Sequence, residues 1–223
     1  MSIKENLLKI QSTIPANVAL VAVSKTKPVA DLMEAYNAGQ RIFGENKIQE
    51  MTEKWEQMPK DIQWQMIGHV QTNKVKYMAE YVNLIHGVDS LKLLQEINKQ
   101  AAKHNRIIDC LLQMFIAEEE TKFGLNENEL HEILNSEEFK SLQNIRIVGL
   151  MGMATFSDNE SQIKKEFQNL KTIFDKYKTL PIAVETEHCQ LSTLSMGMSG
   201  DYQLAIECGS TMIRIGSSIF GSR

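Results

Sequence analysis

Val18-Ala19-Leu20-Val21-Ala22-Val23-Ser24-Lys25 opens the reading, because six apolar residues end abruptly on a hydroxyl and an amine. It is the first of eight short apolar runs. The others are Arg41–Phe43, Trp64–Ile67, Leu84–Gly87, Asp109–Ile116, Ile147–Met151, Leu191–Leu194 and Met212–Ile215. Helical patterns of differing strength separate them. The clearest lies at 159–178, where Ile163, Phe167, Leu170, Phe174 and Tyr177 step by four and three along one face. Ser90 can cap a second, with Leu91, Leu94, Ile97 and Ala101 on its face, and Asn37-Ala38-Gly39 reads as the stop of a helix starting near Val29. Strands that alternate with helices pair in parallel through right-handed crossovers. Eight of them in 223 residues predict an α/β fold, a single compact (β/α)8 TIM barrel over residues 1–223. A doubly wound open sheet is the competing architecture, but no G-x-G-x-x-G follows the first strand. Only Ser217–Arg223 follow the last strand, so an eighth helix is at most one turn, and a helix at Lys4–Ile10 is expected to cover that part of the wall.

Composition narrows the function classes. With 43% hydrophobic and 23% charged residues the chain is neither disordered nor fibrous. A net charge of −4 and a pI near 5.8 give no reason to expect nucleic acid or an anionic membrane surface. Val18–Val23 is too short to cross a bilayer, and the N-terminus has no signal-peptide core. Cys110, Cys189 and Cys208 are scattered and odd in number, which argues against a disulfide framework or a thiolate zinc site and for a reducing, cytoplasmic setting.

In a barrel the active groups sit at the C-terminal ends of the strands. Alternation puts Ala19, Val21, Val23 and Lys25 on one face of the first strand. If that face is the lumen, Lys25 is an amine at the mouth of an apolar barrel, where desolvation lowers its pKa and favours imine chemistry. The plainer alternative is a lysine reaching into solvent; Lys27, beside Pro28, reads as a loop charge. At the other end, Ser195-Met196-Gly197-Met198-Ser199-Gly200-Asp201 precedes a helix running to about Glu207, and Arg214-Ile215-Gly216-Ser217-Ser218 follows. Small residues and free N–H groups after strands seven and eight suit a phosphate. Ser199 or Asp201 as an ordinary helix cap, and Gly216 as an ordinary turn, stay open, and the charge of Asp201 counts against an anion unless it points away. Arg214 shares a face with Met212 and Gly216. A buried arginine needs an acceptor, either a carboxylate of the protein or a heteroaromatic nitrogen of a ligand. A Schiff-base lysine, a phosphate cradle and an inward arginine together suggest pyridoxal 5′-phosphate (PLP).

At this point five stretches carry a resemblance. Ala22–Pro28, Phe43-Gly44-Glu45-Asn46, Ile67-Gly68-His69-Val70-Gln71-Thr72-Asn73-Lys74, Leu194–Ser199 and Arg214–Ser217 together resemble the pyridoxal phosphate homeostasis proteins, the YggS/PROSC family, in the expected order. The resemblance implies a barrel like the N-terminal domain of alanine racemase. It implies that Lys25 holds the cofactor as a Schiff base, that Ser199, Gly216 and Ser217 hold its phosphate, that Arg214 faces the pyridine nitrogen, and that Asn46 and His69 line the pocket. Asn46 as a helix cap and His69 as a loop histidine are the alternatives, and the glycines of Gly149-Leu150-Met151-Gly152-Met153 read equally well as barrel packing. One departure stands out: Phe115 occupies the place of an asparagine at the end of the fifth strand, ahead of a Glu…Lys-x-Gly loop.

PLP is an electron sink when its ring nitrogen is protonated, and an arginine only donates a hydrogen bond there. One barrel fills the chain, so no second domain is expected to bring another acid or base. The expectation is therefore a carrier that buffers, protects or delivers the cofactor without robust catalysis, in transient contact with PLP-dependent apoenzymes and itself a monomer or weak dimer. A racemase-like enzyme of low activity is the alternative, and a cofactor-free Schiff-base aldolase a more distant one.

Overall fold

A computed structural model describes residues 2–118, 123–179 and 188–221. The eight expected strands are β1 Ala19–Val23, β2 Ile42–Glu45, β3 Gln63–Met66, β4 Leu84–Val88, β5 Ile108–Met114, β6 Ile145–Gly152, β7 Cys189–Ser195 and β8 Met212–Ile215. They pair in parallel in sequence order and close into a barrel through β1 and β8. The lumen is apolar below the strand ends: Val21, Leu84, Leu111, Met151 and Met212 pack together with Ala19, Ile42, Ile67, Val148 and Met153 around them. Val21 and Met212 are therefore inward, and so is the face that ends in Lys25.

The outer layer is α1 Ile3–Gln11, α2 Val29–Asn37, α3 Ile48–Gln57, α4 Leu91–Lys103, α5 Glu127–Asn135, α6 Glu137–Lys140, α7 Glu160–Lys178, α8 Tyr202–Glu207 and α9 Ser217–Phe220. The helix signals read from the sequence sit where expected. Ser90 Oγ accepts from Leu93 N at 3.3 Å, and all five stepping residues of α7 are buried. The α2 stop is Gly39, at φ +102°, a left-handed turn that glycine adopts without penalty. One connection departs from the strand-then-helix pattern: β3 and β4 are joined by a 3₁₀ segment, Thr72–Tyr77, and not an α-helix. Its three basic or polar residues in a row leave only Val75 buried, too narrow a stripe for a longer helix.

The eighth helix, α9, is a single turn. The N-terminal helix covers it as expected: Asn6 Nδ2 donates to Ile219 O at 3.1 Å, and α1 is started by a capping box in which Ser2 and Glu5 exchange hydrogen bonds of 3.2 and 2.8 Å. Gly149 has a packing role. A Cβ there would lie 1.7 Å from Thr193 O, at the irregularity in the β6–β7 register. Gly149→Ala is expected to lower stability by ~3 kcal/mol, read as a fall in the urea midpoint with an unchanged slope.

Candidate functional site

A cavity of about 840 Å³ opens at the C-terminal ends of the strands. Lys25, Asn46, His69, Ser199, Arg214, Gly216 and Ser217 all line it, so the chain brings together the seven residues expected to hold the cofactor.

Lys25 lies two residues past the end of β1, and its backbone is held on both sides. Ser24 N donates to Gly44 O at 3.0 Å, and Ser24 Oγ donates to Glu45 Oε1 at 2.6 Å. On the other side Thr26 N donates to Glu50 Oε1 at 2.5 Å, with Thr26 at φ +65°, an unusual conformation for a β-branched residue. Lys54 joins these contacts. Its Nζ donates to Ser24 O, Glu45 Oε1 and Glu50 Oε1 at 2.8, 2.8 and 2.7 Å. Glu45 is fully buried, and burial pushes its carboxyl pKa up against the lowering hydrogen bonds from Lys54 and Ser24. This clamp was not read from the sequence; the i,i+4 pair Glu50 and Lys54 on α3 is its one local trace.

Arg214 is buried at the floor of the cavity. Nη1 donates to Ser195 Oγ at 2.6 Å and Nη2 to Gly152 O at 3.1 Å. Among the described residues its hydrogen-bond partners are a hydroxyl and a carbonyl, with no carboxylate. Burial lowers its pKa to about 10, opposed by the more distant Asp201. Behind it, Ser195 Oγ lies 3.2 Å from His86 Nδ1, and His86 Nε2 lies 2.6 Å from Gln65 Oε1. Burial first, and the Arg214 charge second, hold the His86 pKa well below its ordinary 6.5.

Ser199 links the two phosphate-candidate segments, because Gly216 N donates to its Oγ at 3.3 Å. A Cβ at Gly216 would sit 3.1 Å from Val23 O, a contact tighter than most side chains make. The first-turn N–H groups of Ser217 and Ser218 have no intrahelical partner, as at any helix start. Asp201 stands at the α8 N-cap position without a side-chain cap; its Oδ1 accepts from Met198 N at 2.5 Å, inside its own loop.

Asn46 does not cap α3, whose N-cap is Lys47. Its Oδ1 is buried without a partner among the described residues, which leaves an amide with unused capacity beside the cavity. His69 is at the rim, its side chain 47% exposed, stacked on Phe123 at 4.7 Å between centroids and with Nδ1 3.5 Å from Asp89 Oδ2. Phe115 is 38% exposed and outside the cavity lining. Gln113, overlooked in the sequence, is the β5 residue in the lining, and its Nε2 donates to Phe123 O at 2.9 Å. The loop ahead of Gly124, 119–122, lies outside the described residues. Gly152 combines packing with function, since its carbonyl receives Arg214. The three cysteines are buried and free. Among the described residues no group of three metal-ligating side chains converges, and no helix is long and apolar enough to cross a membrane.

The family described as alanine racemase, N-terminal domain, matches residues 1–223. A pyridoxal phosphate homeostasis protein of Vibrio alginolyticus is 39% identical, with 100% of this chain and 98% of that one covered. PipY of Synechococcus elongatus PCC7942, solved with PLP bound, superposes with a TM-score of 0.88 at 33% identity, covering 99% of this chain and all of that one. An alanine racemase of Clostridium difficile 630 shares the fold, with a TM-score of 0.81 at 15% identity over 100% of this chain and 60% of its own. The protein is thus a barrel of the alanine racemase N-terminal class. Within that class, the chain belongs to the pyridoxal phosphate homeostasis protein family.

Two expectations follow from the buried charges. Lys54→Met strands the Glu45 carboxylate and is expected to cost about 3–5 kcal/mol by urea unfolding, part of it regained when Glu45→Gln is added. The folded-state pKa of His86 lies below the unfolded value, so the unfolded chain takes up a proton that the folded chain refuses. Its contribution is complete above pH 6.5 and is lost as pH falls, by up to about 1.4 kcal/mol per unit. Glu45, with its pKa raised, acts in the opposite sense. The difference between wild type and His86→Asn isolates the histidine: urea midpoints from pH 7 to 5 should fall more steeply in the wild type.

Proposed function

We propose that the cavity binds pyridoxal 5′-phosphate as a Schiff base on Lys25, and that the protein buffers, protects or delivers the cofactor without robust turnover of amino acids. The observation that carries this reading is the arrangement around Arg214: a buried guanidinium, whose hydrogen-bond partners among the described residues are neutral, in the same cavity as an amine and a hydroxyl-lined turn. Each part answers one part of the cofactor. The Lys25 amine suits the aldehyde carbon. Ser199 Oγ with the backbone N–H groups at Gly216 and Ser217 suits the phosphate, with Gly216 leaving room for close approach. Arg214 suits an unprotonated ring nitrogen, because it donates and cannot give up its proton to the ring. Asn46, with its unused amide capacity, and His69 at the rim complete the lining. A PLP-bound relative at 33% identity and relatives called pyridoxal phosphate homeostasis proteins support the same reading.

The cofactor, when bound, supplies an electrophilic carbonyl and an electron sink whose strength depends on ring protonation. Arg214 holds that strength down. Strong carbanion chemistry also calls for a second acid or base over the bound amine; His69, the histidine of the lining among the described residues, is half exposed at the rim and beside Asp89. These features favour a reversible carrier over a racemase. We further propose that residues 1–223 act as one PLP-binding barrel domain in the cytoplasm, as a monomer or weak dimer, and that the Schiff base exchanges Lys25 for the lysine of an apoenzyme met transiently. Nucleic acid and membrane have no part in this reading.

The visible spectrum tests it directly. Wild type incubated with PLP and then desalted is expected to be yellow, and after borohydride reduction to carry one pyridoxyl group on Lys25 by mass mapping; Lys25→Ala is expected to carry none there. Incubation of the loaded protein with L-alanine is expected to leave the D-enantiomer undetected. A protein that stays colourless sinks the proposal and brings the aldolase reading forward.

A further inference from the structure

Gln65, His86, Ser195 and Arg214 form a line of polar side chains through an otherwise apolar lumen. Gln65 and His86 come from neighbouring strands β3 and β4, Ser195 and Arg214 from neighbouring strands β7 and β8. The His86–Ser195 contact therefore bridges opposite walls of the barrel. All four are buried, at 4% exposure or less. One end of the line lies in the cavity at Arg214. The other end, Gln65, lines a smaller hollow that also holds Asp109 and Arg146, at the opposite mouth.

Chemistry allows one arrangement of protons that uses every group. Arg214 can only donate, so Ser195 Oγ accepts at 2.6 Å. The single hydroxyl proton of Ser195 then points to His86 Nδ1, which must be bare. The remaining ring proton is on Nε2 and is donated to Gln65 Oε1. With the imidazole protonated, Nδ1–H would face a hydroxyl already accepting from Arg214, the Ser195 proton would lose its acceptor, and two cations would stand one side chain apart. Nor does the line conduct protons onward, since it ends on an amide. It can only orient.

We propose that His86, acting through Ser195, is a positioning residue that fixes the plane of the Arg214 guanidinium and so sets its hydrogen bond to the cofactor ring nitrogen. The inference rests on the reading of the cavity as a PLP site. Two of the five N–H groups of Arg214 are used by Ser195 and Gly152. With the guanidinium locked at those two points, the others keep a fixed direction in the cavity. A neutral anchor is essential here. A carboxylate in place of Ser195 would neutralise the arginine and draw its hydrogen bonds away from the ligand. The hydroxyl holds the geometry and leaves the charge to the cofactor.

The test is a spectroscopic titration of wild type, H86L, H86N, S195A and H86L/S195A with PLP. Both the dissociation constant and the ratio of visible to near-ultraviolet bands are recorded, because the ratio follows hydrogen bonding to the ring. H86L and S195A are each expected to weaken binding about tenfold and to shift the ratio in the same direction. H86L/S195A is expected to match S195A alone, as members of one chain do. H86N keeps an acceptor for the Ser195 hydroxyl and is expected to restore the wild-type ratio. Should H86L fail to fold, the comparison of S195A with H86N/S195A carries the same information, the two being expected to coincide. A wild-type constant and band ratio in H86L, or additive effects in the double variant, would overturn the inference while leaving the PLP site in place. A wild type that takes up no PLP would overturn the site itself, and the inference with it.

Discussion

The pairing of β1 with β8 is the constraint on which the site depends. In that register Leu20 faces Ile213, Val21 faces Arg214 and Ala22 faces Ile215. Strands from opposite ends of the chain thus become neighbours, and the amine that follows β1 meets the guanidinium of β8 and the glycine turn behind it. Nothing short-range could do this. Lys25, Arg214 and Gly216 line one cavity only because the sheet closes. The lumen packing of Val21 against Met212 and its neighbours is what makes closure favourable.

Two buried cations near the cavity are treated in opposite ways. Lys54 sits between two carboxylates and a carbonyl, and its charge is spent inside the protein on holding the backbone around Lys25. Among the described residues Arg214 is given a hydroxyl and a carbonyl, so its hydrogen bonds leave its charge without a carboxylate. The first arrangement is costly to break because it leaves an unpaired buried carboxylate. The second is incomplete by construction, since a desolvated guanidinium with neutral partners favours an electron-rich ligand beside it. The difference in partners separates a structural charge from the one proposed to meet a ligand.

Much of this was legible in the sequence. The barrel could be read from eight apolar runs, and Lys25, Ser199, Arg214 and Gly216 from their places at strand ends, because period and position are local properties. Phe115 drew attention as a departure, yet it is Gln113, two residues earlier, that faces the cavity. A strand end cannot be fixed to the residue when the following loop decides where the chain turns. The Glu45–Lys54–Ser24 clamp and the Gln65–His86–Ser195 line were missed for a different reason. Each joins residues from separate elements, and no single segment contains the pattern. A trace was available: Gln65, His86 and Gln113 are polar residues interrupting buried strands. Such interruptions need partners, and here the partners lie across the lumen or in the neighbouring loop.

The β1–β8 seam has a further consequence, for the order of events as the protein is made. Its paired residues are ~190 apart in the chain, so the closing contact is among the slowest to form and carries a large loop-closure cost. Until β8 emerges, Lys25 is an amine at the edge of an open sheet, without Arg214 or the Gly216 turn. Under the proposed Schiff base on Lys25, a newly made chain would meet the cofactor's aldehyde long before it could grip the rest of the molecule. Ligand that binds only the closed barrel pulls folding forward by mass action. If the cavity takes the cofactor as proposed, its supply and the completion of this fold become one equilibrium.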